Sequence, residues 1–214
     1  MKSILCLIYG YLIGTINPAY LFGKRSGMDI REGGSGNAGA TNAFLLMGKH
    51  VGIVCAFVDI AKAYIACRTA RLIFSGLVTA GIIAGCGCIL GHIFPVWMGF
   101  AGGKGLACLG GMLLAYNWKL LCMLLLGECI LMIFANYICL VAITGSAAFS
   151  VIYFLQSGDL LGTALLAAVA VVMFCKHIPN LRRIADGSEL KIRYIWDKEG
   201  ETRRIQEKHP DLHL

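Results

Sequence analysis

Charge is what this chain has least of: of its 214 residues only 14% are Asp, Glu, Lys or Arg, against 58% apolar. Soluble domains carry roughly 25% charged residues, so a water-facing surface of ordinary extent is excluded. The mean hydropathy of +0.74 makes this an integral membrane protein. Polar sequence is equally short. Seven spans of ~20 residues would use about 140 residues, which excludes a separate soluble catalytic domain and confines any chemistry to helix ends and loops. No small-x-small cleavage site follows the first apolar run, so Ile4 onward reads as a span and not as a signal peptide. The net charge of +7 does not indicate nucleic acid, because nine of the nineteen Lys and Arg lie in the last 39 residues, beside apolar spans. A lipid surface or an anionic substrate fits them better. Nearly all of the ten cysteines fall inside apolar runs and read as small buried hydrophobes. No metal site is expected from them.

The apolar runs predict an all-α membrane fold with seven transmembrane helices: Ile4 to Phe22, Val51 to Cys67, Leu72 to Leu90, Leu106 to Ala115, Leu120 to Tyr137, Ile138 to Leu155 and Leu160 to Cys175. Alternate loops divide the cations unevenly. Lys24, Arg25, Arg31, Lys49, Lys104 and the nine of the C-terminal segment fall on one side; Lys2, Arg68, Arg71 and Lys119 fall on the other. The rule that basic loops stay inside puts the N-terminus outside and the C-terminus in the cytoplasm. It also gathers loop 1 (23–50), loop 3 (91–105) and the tail on the cytoplasmic face. A membrane domain over 1–190 and a polar tail over 191–214 follow. Alternating apolar and charged residues around Asp197-Lys198-Glu199-Gly200 suggest a small hairpin in that tail, with a solvated basic tail as the other reading.

The unusual sequence lies in those three segments. Loop 1 runs Gly33-Gly34-Ser35-Gly36-Asn37-Ala38-Gly39-Ala40-Thr41-Asn42. It contains GxGxxG, but no strand precedes it and the P-loop pattern is absent, so a dinucleotide fold is not indicated. Backbone without bulky side chains beside a helix start suits an anion; a flexible connector is the plainer alternative. In loop 3, Lys104 sits between Gly103 and Gly105 at a helix start, where a cation opposes the helix dipole, so it needs an anionic partner or is a snorkelling anchor. Gly102 and His92 belong to the same segment. After the last span, His177, Asn180 and Arg183 are spaced to share one helical face and could grip a phosphate ester, or the segment simply rests on anionic lipid. Asp59 and Lys62 are three apart within span 2 and read as an intramembrane ion pair. Glu128 has no obvious partner.

GSGNAGATN at 34–42, GHIFPVWMGFAGGKG at 91–105 and HxxNxxR with GSE at 177–189 resemble, in order and spacing, the three motifs of the acyl-phosphate:glycerol-3-phosphate acyltransferase family. The likeness covers about residues 1–190. It implies a multi-pass enzyme of the bacterial cytoplasmic membrane, with no cofactor. Such an enzyme moves a fatty acyl group from acyl phosphate to the 1-hydroxyl of glycerol 3-phosphate, giving lysophosphatidic acid and phosphate. The soluble enzyme that makes acyl phosphate is an implied partner. Carried onto this chain, the catalytic residues are Lys104, Ser35, His177 and Asn180. The phosphate-binding residues are Gly34, Gly36, Asn37, Gly39, Thr41, Asn42, Gly102, Gly103, Gly105, His92 and Arg183, supported by Asp59, Lys62 and Glu189.

The His-x-x-x-x-Asp dyad of soluble-headed glycerolipid acyltransferases is missing: the fifth residues on from His50, His92 and His177 are Cys55, Trp97 and Arg182. That leaves catalysis by positioning and electrostatics, with the acceptor's own phosphate taking the hydroxyl proton. The chain also departs from the family. It has Phe44-Leu45-Leu46 where an Arg is usual, and Asn136, Cys139 and Ala142 where an Arg and two Ser are usual. Losing an Arg from a phosphate site can cost several kcal/mol. Either Lys49, Arg182 or Arg183 compensates, or this is a divergent paralogue with another acceptor. A non-enzymatic transporter of anions or lipid phosphates is the alternative from another class.

Overall fold

A computed structural model describes residues 1–209, and every regular element among them is helical. In chain order these are α1 (Lys2–Gly14), α2 (Pro18–Arg25), α3 (Ala40–Met47), α4 (Lys49–Ile73), α5 (Ala80–Ile93), α6 (Leu106–Tyr116), α7 (Trp118–Ala135), α8 (Ile138–Ser157), α9 (Leu160–Asp186) and α10 (Lys198–Lys208). Short 3-10 turns lie at Ile30–Glu32, Val96–Met98 and Ile192–Ile195. Six stretches are long and apolar enough to cross a membrane, while α6 is shorter at 11 residues. Large apolar side chains such as Phe57, Leu126, Ile133 and Leu155 stand exposed on the outer helix faces, where hydrocarbon would meet them.

Several boundaries differ from those read in the sequence. The first run is two helices, because Asn17 and Pro18 interrupt it. Pro18 suits a first helical turn, whose N–H has no intrahelical partner. The Asn17 side chain caps α2 by accepting from the Tyr20 N–H at 2.9 Å and donates to the Ala38 carbonyl at 2.9 Å, tying the break to loop 1. Leu72 belongs to α4, and α5 starts only at Ala80. α9 continues well past Cys175 to Asp186. Hydropathy marks where hydrocarbon ends, whereas a helix continues as long as one face is still buried, here by His177 and Asn180. It stops at Gly187, whose φ of 84° is the left-handed C-terminal cap.

The tail is not the expected hairpin: residues 192–195 form a 3-10 turn and α10 follows. Asp197 caps α10 by accepting from the Gly200 N–H at 3.0 Å, and Glu199 and Glu201 favour the positive end of its dipole. Apolar–charged alternation cannot distinguish this from a strand when the burying partner is another part of the tail.

α5 is the central helix, buried along nearly its whole length. It meets α1 through Gly10 and Gly14 on one side and Gly87 and Gly91 on the other, and a Cβ at any of the four would strike the partner's backbone. These reciprocal small-residue pairs bring the two backbones into contact, as membrane helices do when no hydrophobic effect drives them together. Because of that contact, the end of α5 lies beside the α1–α2 break. Glu128 also finds its partner, the Thr144 hydroxyl of α8, which donates to its carboxylate at 2.8 Å.

Candidate active site

Loop 3 leaves α5 at Phe94 and returns to the start of α6 at Gly105, whose φ of 90° only glycine adopts freely. Gly102 and Gly103 have their own N–H groups committed: they donate to the carbonyls of Ile93 (3.1 Å) and His92 (3.0 Å), pinning the loop to α5. The donors left for a ligand here are the first N–H groups of α6, which a helix start leaves without intrahelical partners. A Cβ on Gly103 would collide with the His92 ring. His92 is therefore behind the loop: it is buried, with Nδ1 3.0 Å from Lys62 Nζ and 3.3 Å from Asp59 Oδ1. The sequence reading put His92 among the phosphate ligands; in the fold it joins the supporting pair.

That pair is as close as its spacing implied. Lys62 Nζ lies 2.7 Å from Asp59 Oδ1 and donates to the Ile16 carbonyl at 2.5 Å, at the α1–α2 break. Ligand atoms of Asp59, His92 and Cys108 lie within 4.8 Å of one another. The Lys62 ammonium already occupies that place, so the cluster is charge-balanced by a side chain and does not suit a metal ion.

Lys104 is half-buried and donates to the Asn180 Oδ1, its one hydrogen-bond partner among the described residues. The Asn180 amide nitrogen donates to Glu189 Oε1 at 2.6 Å, and Arg183 Nε donates to Glu189 Oε2 at 2.6 Å. Lys104, Asn180, Arg183 and Glu189 thus form one network. His177 is buried one turn before Asn180, and its Nδ1–H donates to the Met173 carbonyl at 2.7 Å, leaving Nε2 as the open ring nitrogen. Burial, and then the neighbouring Arg183 charge, push the Lys104 ammonium down to about 8, against a smaller opposing pull from Glu189. Its charge is partly desolvated and its nearest partner is neutral.

Loop 1 is organised by Asn42, fully buried at the start of α3. Its Oδ1 accepts from the Ser35 N–H at 2.8 Å, and its amide nitrogen donates to the carbonyls of Ile30 (2.8 Å) and Gly33 (3.1 Å). Asn42 thus shapes the glycine loop from behind. Gly34, Ser35, Gly36 and Thr41 are exposed, Asn37 is half-buried and Gly39 is buried. Arg31, paired with Asp29 at 2.7 Å, donates to the Met98 carbonyl at 2.7 Å and fastens loop 1 to loop 3. An apolar groove of about 250 Å³ begins at Ala40 and Thr41 and runs between α4 and the start of α8, with Leu190, Ile192 and Ile195 on its far wall. Leu45, one of the departures, lines it. Asn136 turns the α7–α8 corner in the left-handed conformation, while Cys139 and Ala142 are buried. Of the basic residues that could compensate, Lys49 and Arg182 are exposed, and Arg183 is in the Glu189 network.

Sequence reasoning missed the Asp59–His92 contact, which joins residues 33 positions apart with no local pattern to announce it. It also missed Glu201 and Arg204 of α10, whose i,i+3 spacing was visible but gave no sign of where the pair would pack.

Residues 4–187 match the family model described as glycerol-3-phosphate acyltransferase. A glycerol-3-phosphate acyltransferase of Lactiplantibacillus plantarum is 34% identical over 200 residues, covering 91% of this chain and 94% of its own. One of Staphylococcus saprophyticus is 35% identical over 203 residues, covering 91% and 100%. The crystal structure of PlsY, an integral membrane glycerol 3-phosphate acyltransferase, in its glycerol 3-phosphate form is similar with a TM-score of 0.81 at 27% identity, over 91% of this chain and 98% of that one. Its lysophosphatidic acid form gives 0.77, over 89% and 95%.

Proposed function

The chain belongs to the glycerol-3-phosphate acyltransferase family, and from that premise we propose that it acylates glycerol 3-phosphate to lysophosphatidic acid with acyl phosphate as the donor. Lys104 is the observation that carries this reading. It is a half-buried cation whose one hydrogen-bond partner among the described residues is an amide, at the free N–H groups of a helix start and within one network with Arg183. That is a positive pole suited to a phosphate.

The 1-hydroxyl oxygen of glycerol 3-phosphate attacks the acyl carbon. The new C–O bond forms, the acyl–phosphate bond breaks with its electron pair leaving on phosphate, and the hydroxyl proton passes to a phosphate oxygen of the acceptor. Lys104 and the α6 N-terminus stabilise the charge that builds on the leaving phosphate. Asn180 and His177 Nε2 orient the acceptor, Arg183 binds its phosphate, and Ser35 with the exposed glycines of loop 1 closes on the reacting groups. The apolar groove at Thr41 takes the acyl chain.

The membrane arrangement is part of this reading: α6 is a crossing, the fourth of seven, the site faces the cytoplasm of a bacterial inner membrane, and Lys2 lies outside. Contacts support it. Lys104 meets Asn180, and the Ile192 N–H donates to the Asn136 carbonyl at 2.9 Å, so 104, 136, 180 and 192 share one end of the bundle. Tyr116 meets Gln156 at the other end. A crossing α7 then requires α6 to cross as well, and the excess of basic residues at the first end assigns it inward. Labelling of single cysteines, in a cysteine-free background, should reach position 104 only from the cytoplasmic side.

The direct test is the purified protein in detergent with acyl phosphate and glycerol 3-phosphate. Inorganic phosphate and lysophosphatidic acid should appear in equal amounts. Binding without phosphate release would fit a transporter and end the enzymatic reading.

A further inference from the structure

The Glu189 end of the site is held by residues beyond the family match, which stops at residue 187. On α10, Arg204 donates to two backbone carbonyls of the segment that carries Glu189: Gly187 at 2.7 Å and Glu189 at 2.8 Å. The same guanidinium donates to Glu201 at 3.0 and 2.5 Å. Glu201 is completely buried. Its oxygens also accept from the Lys191 N–H at 2.9 Å and from Arg193 Nε at 2.5 Å. Burial alone would favour the neutral acid, but the bonds from Arg204, the Lys191 amide and Arg193 outweigh it and hold the carboxyl below its usual range. Ile205, also completely buried, anchors the next position of α10.

A solvated tail has no use for a buried, fully bonded carboxylate. These bonds converge on residues 187–193, and Glu189 lies among them. From there the chain of contacts is short: Glu189 orients Asn180 and Arg183, and Asn180 meets Lys104.

We infer that Glu201 and Arg204 are positioning residues of the acyltransferase site, bracing the Gly187–Lys191 backbone so that Glu189 keeps Asn180 and Arg183 aligned with Lys104. The inference rests on the acyltransferase reading above. Neither residue touches substrate; both act through the Glu189 carbonyl and carboxylate. A small shift of Glu189 misaligns a bidentate arrangement in which each oxygen serves a different donor, and positioned sites lose rate steeply with such shifts.

The test is steady-state kinetics of the full chain in detergent, following phosphate release per folded molecule. Arg204→Ala should raise the KM for glycerol 3-phosphate roughly tenfold and the KM for acyl phosphate much less, since Glu189 bonds directly to Asn180 and Arg183, which face the acceptor, and reaches Lys104 only through Asn180. Arg204→Lys, which keeps the charge but loses the fork, should fold normally and recover part of the loss. Glu201→Gln should fall between, and Arg203→Ala, exposed on the same helix, should match the wild type. In a Glu189→Gln background, Arg204→Ala should add little, because both changes remove one linkage. If Arg204→Ala and Glu201→Gln lower only the melting temperature and keep wild-type kinetics, α10 is a stabilising appendage and the inference is overturned. A wild-type protein that releases no phosphate fails earlier, and then it is the acyltransferase reading that falls and takes the inference with it.

Discussion

Two lysines in this molecule are set among nearly the same chemical groups and are wired for opposite ends. Lys62, inside the bundle, has a carboxylate at 2.7 Å, a backbone carbonyl at 2.5 Å and an imidazole nitrogen at 3.0 Å, so its charge is balanced and enclosed on three sides. Lys104, at the end of the bundle, meets a neutral amide. The carboxylate of its network, Glu189, is one residue further away and already shared by Asn180 and Arg183. Where the carboxylate touches the lysine the charge is closed off and the cluster can only hold helices together. Where an amide stands between them, orientation is fixed and positive charge is left over for an anion. The closed cluster also serves the open one, because His92 backs Gly103, the residue next to Lys104.

The sharpest way to break this comparison is to remove the open charge. Lys104→Ala should cut phosphate release by about 10³-fold with the protein still folded and inserted, as the loss of a main transition-state donor does. Lys104→Arg should restore only part, since a planar fork does not replace a point charge in a tight turn. Most of the activity surviving in Lys104→Ala at saturating substrate would reduce this residue to a snorkelling anchor. Removing the closed charge should act on stability instead. Asp59→Asn strands the Lys62 ammonium and should cost about 3 kcal/mol, while the paired change Asp59→Leu with Lys62→Met should cost much less. Thermal unfolding in detergent reads both, and a single variant as stable as the wild type would mean that Asp59 is not what balances Lys62.

The mildest probe is pH. Lys104, pushed down to about 8, is an ammonium below that pH and a neutral amine above it. If this cation holds phosphate as proposed, kcat/KM should be level up to about one unit below that value, fall to about half at it, and approach a roughly tenfold fall per unit above it, reporting the free enzyme. In Lys104→Arg the alkaline limb should move out of range, because guanidinium stays charged. An unmoved limb would assign the titration to another group.

Much of this was legible in the residues. Apolar runs marked the helices because hydrocarbon selects composition directly, although they blurred every end where a helix outlasts its apolar part, as α9 does from Lys176 to Asp186. Asp59 and Lys62 could be paired on spacing alone. The tail could not be read: a hairpin and a helix accommodate the same alternation, and only the packing of Glu201 against Lys191, Arg193 and Arg204 chooses between them. Likewise His92, grouped with the phosphate ligands for its place in loop 3, is turned inward onto Asp59 and Lys62 of α4.

What the sequence determined by itself was the membrane class, the three polar segments and the cation between two glycines, since each rests on composition or on residues within a few positions of one another. Only the tertiary structure decided which of those residues stay open and which hold the others. That depends on groups brought from distant positions, such as Lys104 to Asn180, Asp59 to His92 and Arg204 to Glu189. In a bundle packed through glycines at van der Waals distance, these meetings are fixed by how helices cross, and no local spacing records that.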